Sequence, residues 1–114
     1  MFDAELLAML KQMVLMGRIL RLPVLQDAIG MPVVETAQVP RLLGSPVEAA
    51  VYLIFPTERE RRAATRRRKG ITRTVHRILQ DGGYPEHDLS TVVVELASAE
   101  QIDQAGGRER FFFG

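Results

Sequence analysis

The chain has 114 residues, 46% in the apolar class and 25% charged, a globular composition whose length fits one domain over residues 1–114. It has no cysteine, which excludes a disulfide framework and a cysteine-based zinc site. The net charge of +1 hides a concentrated cation: residues 57–80 hold nine Lys and Arg against Glu58 and Glu60, a net +7, which leaves −6 for the remainder.

Residues 3–21 read as a helix that Asp3 can cap. Leu6, Leu10, Met13 and Leu20 share a face, with Leu7 and Val14 beside it. Met9 and Met16 widen the apolar arc beyond what one face needs, so the helix calls for burial on most sides. Two accounts fit. One is a core helix; the other is a methionine-rich surface for a partner or a second copy. The polar side is not basic enough for a membrane-surface helix. No apolar run reaches the roughly 18 residues a bilayer requires, so no membrane partner is expected. Asp3 and Glu5 stand where a secretion signal carries basic residues, which points to a cytoplasmic or virion-internal protein.

Residues 22–47 are broken by Pro23, Gly30, Pro32, Pro40, Gly44 and Pro46, and Val33, Val34 and Val39 fit a short edge strand or extended loop. Ser45, Pro46 and Glu48 look like a helix start, yet the run from Ala50 to Phe55 is rich in strand formers, and 48–55 is read as a buried strand. Thr57 and Glu60 form a capping-box pattern. Beyond it, 57–69 is either helix or a basic loop. Ile71, Val75, Ile78 and Leu79 define a secure helix over 71–80 that Asp81-Gly82-Gly83 ends. Residues 91–97 are the strongest strand in the chain. Ser98 and Gln101 cap a short helix over 99–105. Gly106-Gly107 then turns into Arg108–Phe113, read as a last strand. Alternation along it would bury Phe111 and Phe113 and leave Phe112 exposed or covered by another subunit.

The fold class is therefore α+β: a small, mostly antiparallel sheet of three to four strands with helices on one face. The long apolar N-terminal helix and the 71–80 helix would pack on it. Full burial of the first helix would require a second copy, with Met9, Met13, Met16 and Phe112 as the oligomer interface.

The arginine-rich segment over 57–77 is the main functional signal. Lys and Arg recognise nucleic acid by neutralising phosphates, and Arg adds bidentate geometry. Arg61, Arg62, Arg66, Arg67, Arg68, Lys69 and Arg73 are the candidate phosphate contacts on DNA or RNA. No aromatic residue is interleaved, which argues against a single-strand stacking platform. A solvated helix exterior, or pairing with the acidic part of a neighbouring subunit, accounts for the same charges. Tyr84-Pro85-Glu86-His87-Asp88 gathers a His among carboxylates, but one loop cannot complete a metal site, and a turn held by Asp88 is the simpler account. His76 reads as a helix-face residue. Ser90 has no evident His partner, and neither Gly-Gly pair has the context of a phosphate loop, so no catalytic residue, cofactor or metal is assigned.

From Val47 to Phe113 the order of segments resembles the RusA family of Holliday-junction resolvases. The resemblance rests on a strand ending Phe55-Pro56, an arginine-rich connection, the helix Ile71–Gln80, then Gly83-Tyr84-Pro85-Glu86-His87-Asp88 leading into the strand Thr91–Ala97. It implies a small homodimer that uses aspartates and Mg²⁺ to cut junction DNA. The family's Asp-x-Asp-Asn falls here on Arg67-Arg68-Lys69-Gly70, and of the later paired acids only Asp88 matches; a basic family position corresponds to Arg73. Cations in place of two metal ligands imply that cleavage is lost and binding at most is kept. The sequence thus favours a non-catalytic nucleic-acid-binding protein. The alternatives are a structural or interaction subunit of a homo-oligomeric or viral assembly, and a degenerate resolvase-like nuclease using Asp88 with His87 and Glu86.

Overall fold

A computed structural model describes residues 4–41 and 48–114. The elements run α1 (Ala4–Ile19), α2 (Leu22–Ile29), β1 (Glu35–Arg41), β2 (Glu48–Phe55), α3 (Glu58–Thr65), α4 (Arg68–Asp81), a 3-10 turn over Glu86–Thr91, β3 (Val92–Ser98), α5 (Ala99–Gln104) and α6 (Arg108–Phe113). The class is α+β. Asp3 and Ser45–Val47, the residues of two expected caps, lie outside the described residues.

The three strands form one sheet in the order β1-β2-β3. β1 pairs with β2 antiparallel, Glu35 opposite Ile54 and Arg41 opposite Glu48. β2 pairs with β3 in parallel, from Ala49 beside Val92 to Phe55 beside Ser98. The sheet is thus mixed where a mostly antiparallel one is expected. The reason lies in the connection: two parallel neighbours need a long crossover, and α3, α4 and the 3-10 turn supply it.

β2 is the central strand, and its side chains feed two cores by strict alternation. Ala49, Val51, Leu53 and Phe55 face the larger core, built with Met9, Met16 and Leu20 of the α1 segment, Leu25 and Ile29 of α2, and Ile71, Val75 and Leu79 of α4. Ile54 faces the other side, where Ala37, Ala97 and Ile102 pack and Tyr52, Phe111 and Phe112 join them. Helices therefore cover both faces of the sheet. The single-face expectation fails because Arg108–Phe113 is helical, not a strand. Gly107, at φ 114°, reverses the chain, and Phe111 N–H bonds to the Gly107 carbonyl at 3.0 Å. In helical form Phe111 and Phe112 both reach Tyr52, with ring centroids 6.2 and 4.9 Å away, while Phe113 is 71% exposed. Arg108 pairs with Glu35, which ties α6 to β1.

The break expected across 22–47 also begins late. Leu22, Leu25 and Ile29 sit at helical spacing, Pro23 occupies the first turn, and Gly30 closes the helix at φ 71° with its N–H on the Gln26 carbonyl. β1 is an outer strand, and Pro40 is tolerated there because an edge strand has unpaired backbone positions. β3 is the opposite edge. Two of its carbonyls are taken by side chains of α4: His76 Nε2 lies 3.0 Å from the Val92 oxygen, and Arg68 Nη2 donates to the Val94 oxygen at 3.2 Å. None of the described helices is long and apolar enough to cross a membrane.

Candidate nucleic-acid interface

The whole basic segment is ordered as two helices. Thr57 Oγ1 accepts the Glu60 N–H at 3.2 Å and donates to the Glu60 carboxylate at 2.9 Å, which starts α3 as its capping pattern predicts. α3 buries only Ala64, so its remaining sides are wet. After Arg66 and Arg67 the chain re-enters helix at Arg68. α4 buries Ile71, Val75 and Leu79, one side chain per turn. Lys69, Arg73 and Arg77 repeat at the same interval two residues earlier. Two residues are about 200° of helix, so this second row points away from the core. All three are exposed. Gly70 in the first turn of α4 has open space where a Cβ would stand.

The structure divides the basic residues by what they touch. Arg61 is turned inward onto Glu58, with Nε 2.7 Å and Nη2 2.9 Å from the two carboxylate oxygens. Ser98, fully buried, donates to the same carboxylate at 2.6 Å. Arg61 and the Ser98 hydroxyl together hold the Glu58 carboxyl down at about 2, and the carboxylate in turn raises the Arg61 guanidinium above its ordinary value. Arg61 is therefore a brace between α3 and the β3–α5 junction. Arg61, expected among the phosphate contacts, thus has its Nε and Nη2 engaged within the chain. Arg68 is braced too, on Glu95 at 3.0 Å as well as on Val94. Arg67 is exposed and donates to the Ile29 carbonyl at 3.3 Å. Arg62 reaches Glu58 only at 3.9 Å, and its side chain is 75% exposed.

Arg59, Arg66, Lys69, Arg73 and Arg77 are exposed and form no ion pair among the described residues. Arg59, Arg62 and Arg66 with Ala63 line a shallow groove of about 350 Å³ along α3. Arg68, Lys69, Arg73 and Thr72 line another of about 400 Å³ on α4. No carboxylate lines either, and α4 begins with no acidic residue in its first turn and no side-chain cap, so its helix dipole adds to the positive field. Such a surface can neutralise closely spaced anions. Arg59 and Arg77 belong to the charge of the segment and stand outside the expected set of contacts. The interval from Lys69 through Arg73 to Arg77 is the signal that identifies Arg77.

The other candidate residues lie elsewhere. Met9 and Met16 are buried in the chain's own core at 7% and 0% exposure, Met13 is half-buried, and Phe112 is half-buried against Tyr52 and Phe111. Met9 and Met16 are thus covered within the chain, and Met13 only in part. The apolar side that α1 leaves open is Leu7, Leu10 and Val14. In the loop after α4, Tyr84 is buried. Burial, and secondly the charge of Asp88, raise its phenol. Asp88 accepts from Gln12 Nε2 at 2.7 Å and has His87 3.4 Å away, an arrangement that ties the loop to α1. Among the described residues no three His, Cys, Asp or Glu side chains converge in a way that could hold a metal ion.

Comparison with family models, with curated proteins and with solved structures finds no match for this chain.

Proposed function

We propose that this protein binds nucleic acid through the exposed cations of α3 and α4, without catalysing a reaction on it. One observation carries the reading: Arg59, Arg66, Lys69, Arg73 and Arg77 are exposed along α3, its C-cap and α4 and form no ion pair among the described residues, while the chain outside 57–80 sums to −6. Free surface cations with no internal partner add nothing to the fold that a neutral residue would not. Their aggregate field attracts a polyanion, and phosphate neutralisation with counterion release supplies the binding energy. Arg62, Arg67 and Arg68 border the same surface and contribute through whatever hydrogen-bonding capacity their internal contacts leave.

The test is fluorescence anisotropy with labelled duplex, single-stranded and four-way-junction DNA and with RNA, at low and moderate salt. The expected result is salt-sensitive binding that Arg66→Ala combined with Arg73→Ala and Arg77→Ala weakens at least tenfold. Absence of binding to every probe at low salt would overturn the reading. A preference for the junction would support the resemblance to the RusA family as a binding relationship.

A second reading, a subunit that associates with copies of itself, is favoured by Leu7, Leu10 and Val14, which α1 exposes at 46%, 40% and 58%. Light scattering across a concentration series tests it, and a strictly monomeric chain at high concentration removes it. The nuclease alternative has no comparable support, because Glu86, His87 and Asp88 form no ligand cluster.

A further inference from the structure

We infer that the basic surface is built for a double-stranded backbone, and not for a single strand or an acidic protein segment. The inference rests on the phosphate-binding reading above and narrows it. Three features of the surface decide between the possible polyanions.

The cations are carried in two rows on helical backbone. On α4, Lys69, Arg73 and Arg77 follow each other at about 6 Å and span about 12 Å. Over that length a duplex presents about seven phosphates on its two strands. Along α3 and its C-cap, Arg59, Arg62 and Arg66 make a second row of about 10 Å. Rows held this way match a ligand whose charges are already spaced and rigid. A flexible strand would have to lose conformational freedom to match them.

The surface also lacks what a single strand needs. Bases of unpaired nucleic acid are held by aromatic stacking. Among the described aromatic residues Phe55 and Tyr84 are buried, Tyr52, Phe111 and Phe112 form the cluster on the sheet face opposite α4, and the exposed Phe113 stands with Arg110 at the end of α6, outside both grooves. Neither groove is lined by an aromatic residue. Nor does the surface resemble the centre of a protein interface, which is apolar. Between its cations stand only Ala63 and Thr72, and the open apolar residues of α1 line neither groove.

The experiment compares a duplex of about 20 base pairs, as DNA and as RNA, with the single strand of the same sequence and with polyglutamate, between about 50 and 200 mM salt. Five free cations each neutralising one phosphate predict a slope near −4.5 in log affinity against log salt, about a 500-fold loss over that range. The combined change Lys69→Ala, Arg73→Ala and Arg77→Ala should flatten the slope by about 2.7. Its melting temperature should stay unchanged, because these side chains hold no internal partner. At least tenfold tighter binding to either duplex than to the single strand supports the inference, and the DNA and RNA arms identify which helix geometry fits. Equal or tighter binding to the single strand overturns the inference and leaves the phosphate-binding reading standing. Polyglutamate binding as tight as the duplex overturns it in favour of a protein partner. No binding to any probe at the lower salt overturns both.

Discussion

Replacing Glu58 by Gln should remove one pH-dependent contribution to the stability of this protein, the part lost as pH falls below about 5. The Glu58 carboxylate takes two hydrogen bonds from Arg61 and one from the buried Ser98 hydroxyl, and its pKa falls from 4.5 to about 2. A carboxyl lowered on folding contributes stability that is fully present above its unfolded value and is lost as pH falls toward the folded one. The window therefore runs from about pH 5 down to about pH 2. The difference between 4.5 and about 2 corresponds to an upper limit of about 3.4 kcal/mol. The side chain is 22% exposed, so solvent screens part of this and about 1.5–2 kcal/mol is the expected contribution at pH 7. Glutamine can still accept from Ser98 but presents an amide N–H₂ to Arg61, so the charge-dependent part goes. Urea unfolding followed by circular dichroism at pH 7, 5, 4 and 3 should show the native chain ahead of Glu58→Gln by that margin at neutral pH. More than half of the margin should be gone by pH 3. A margin that stays constant from pH 7 to pH 3, or no margin at pH 7, would refute the assignment of this contact as the source.

Gly70→Ala should stabilise the chain by about 0.5–1 kcal/mol in the same unfolding assay, because a Cβ there meets open space and alanine is the better helix former. A loss of stability would mean that the first turn of α4 has a packing demand the structure does not show. Gly82→Ala should have the opposite sign, about 1–3 kcal/mol of destabilisation, since its Cβ would lie 2.4 Å from Ile19 Cγ2. Ile19→Ala in that background should cost less than Ile19→Ala alone, a coupling that a double-mutant cycle reads directly. Phe112→Ala should cost about 1.5–3 kcal/mol by thermal unfolding, because its ring meets Tyr52 at 4.9 Å and Phe111 at 5.1 Å over the smaller core. An unchanged melting temperature would place that ring outside the fold.

Where local signals agree, the elements are readable in the sequence. The strands at 48–55 and 91–97 and the helix at 71–80 combine side-chain preference with a stop signal and are present, as are the side-chain cap at Thr57 and the full capping box at Ser98. Two elements are not readable by preference alone. Arg108–Phe113 carries three consecutive Phe, a strand-forming composition, but both sides of the aromatic run find Tyr52 only when the segment is helical. Leu22–Ile29 is hidden by Pro23 and Gly30, although proline in a first turn and glycine after a last one are helix punctuation. The methionines of α1 illustrate a different limit. Period locates an apolar face but does not say which of two adjacent arcs meets the sheet; packing chose Met9 and Met16 and left Leu7, Leu10 and Val14 outside. In the candidate interface the total charge is a sequence property, whereas the division of arginines into braces and free cations is not. Arg61 and Arg62 are neighbours of one type that both approach Glu58, and only the distance, 2.7 Å against 3.9 Å, separates a brace from a largely exposed cation.

The side chains that cover the outer carbonyls of β3 have a consequence for how this protein fails. An open strand edge is a template on which another chain can add. Here the protection is not intrinsic to the strand: Arg68 and His76 reach it from α4, so it lasts only while that helix is docked. Partial opening that lifts α4 would at one stroke expose the row Ile71, Val75 and Leu79 and unmask the Val92 and Val94 carbonyls. Such an opening would bare an apolar row and an uncovered strand edge together, the two features that favour aggregation.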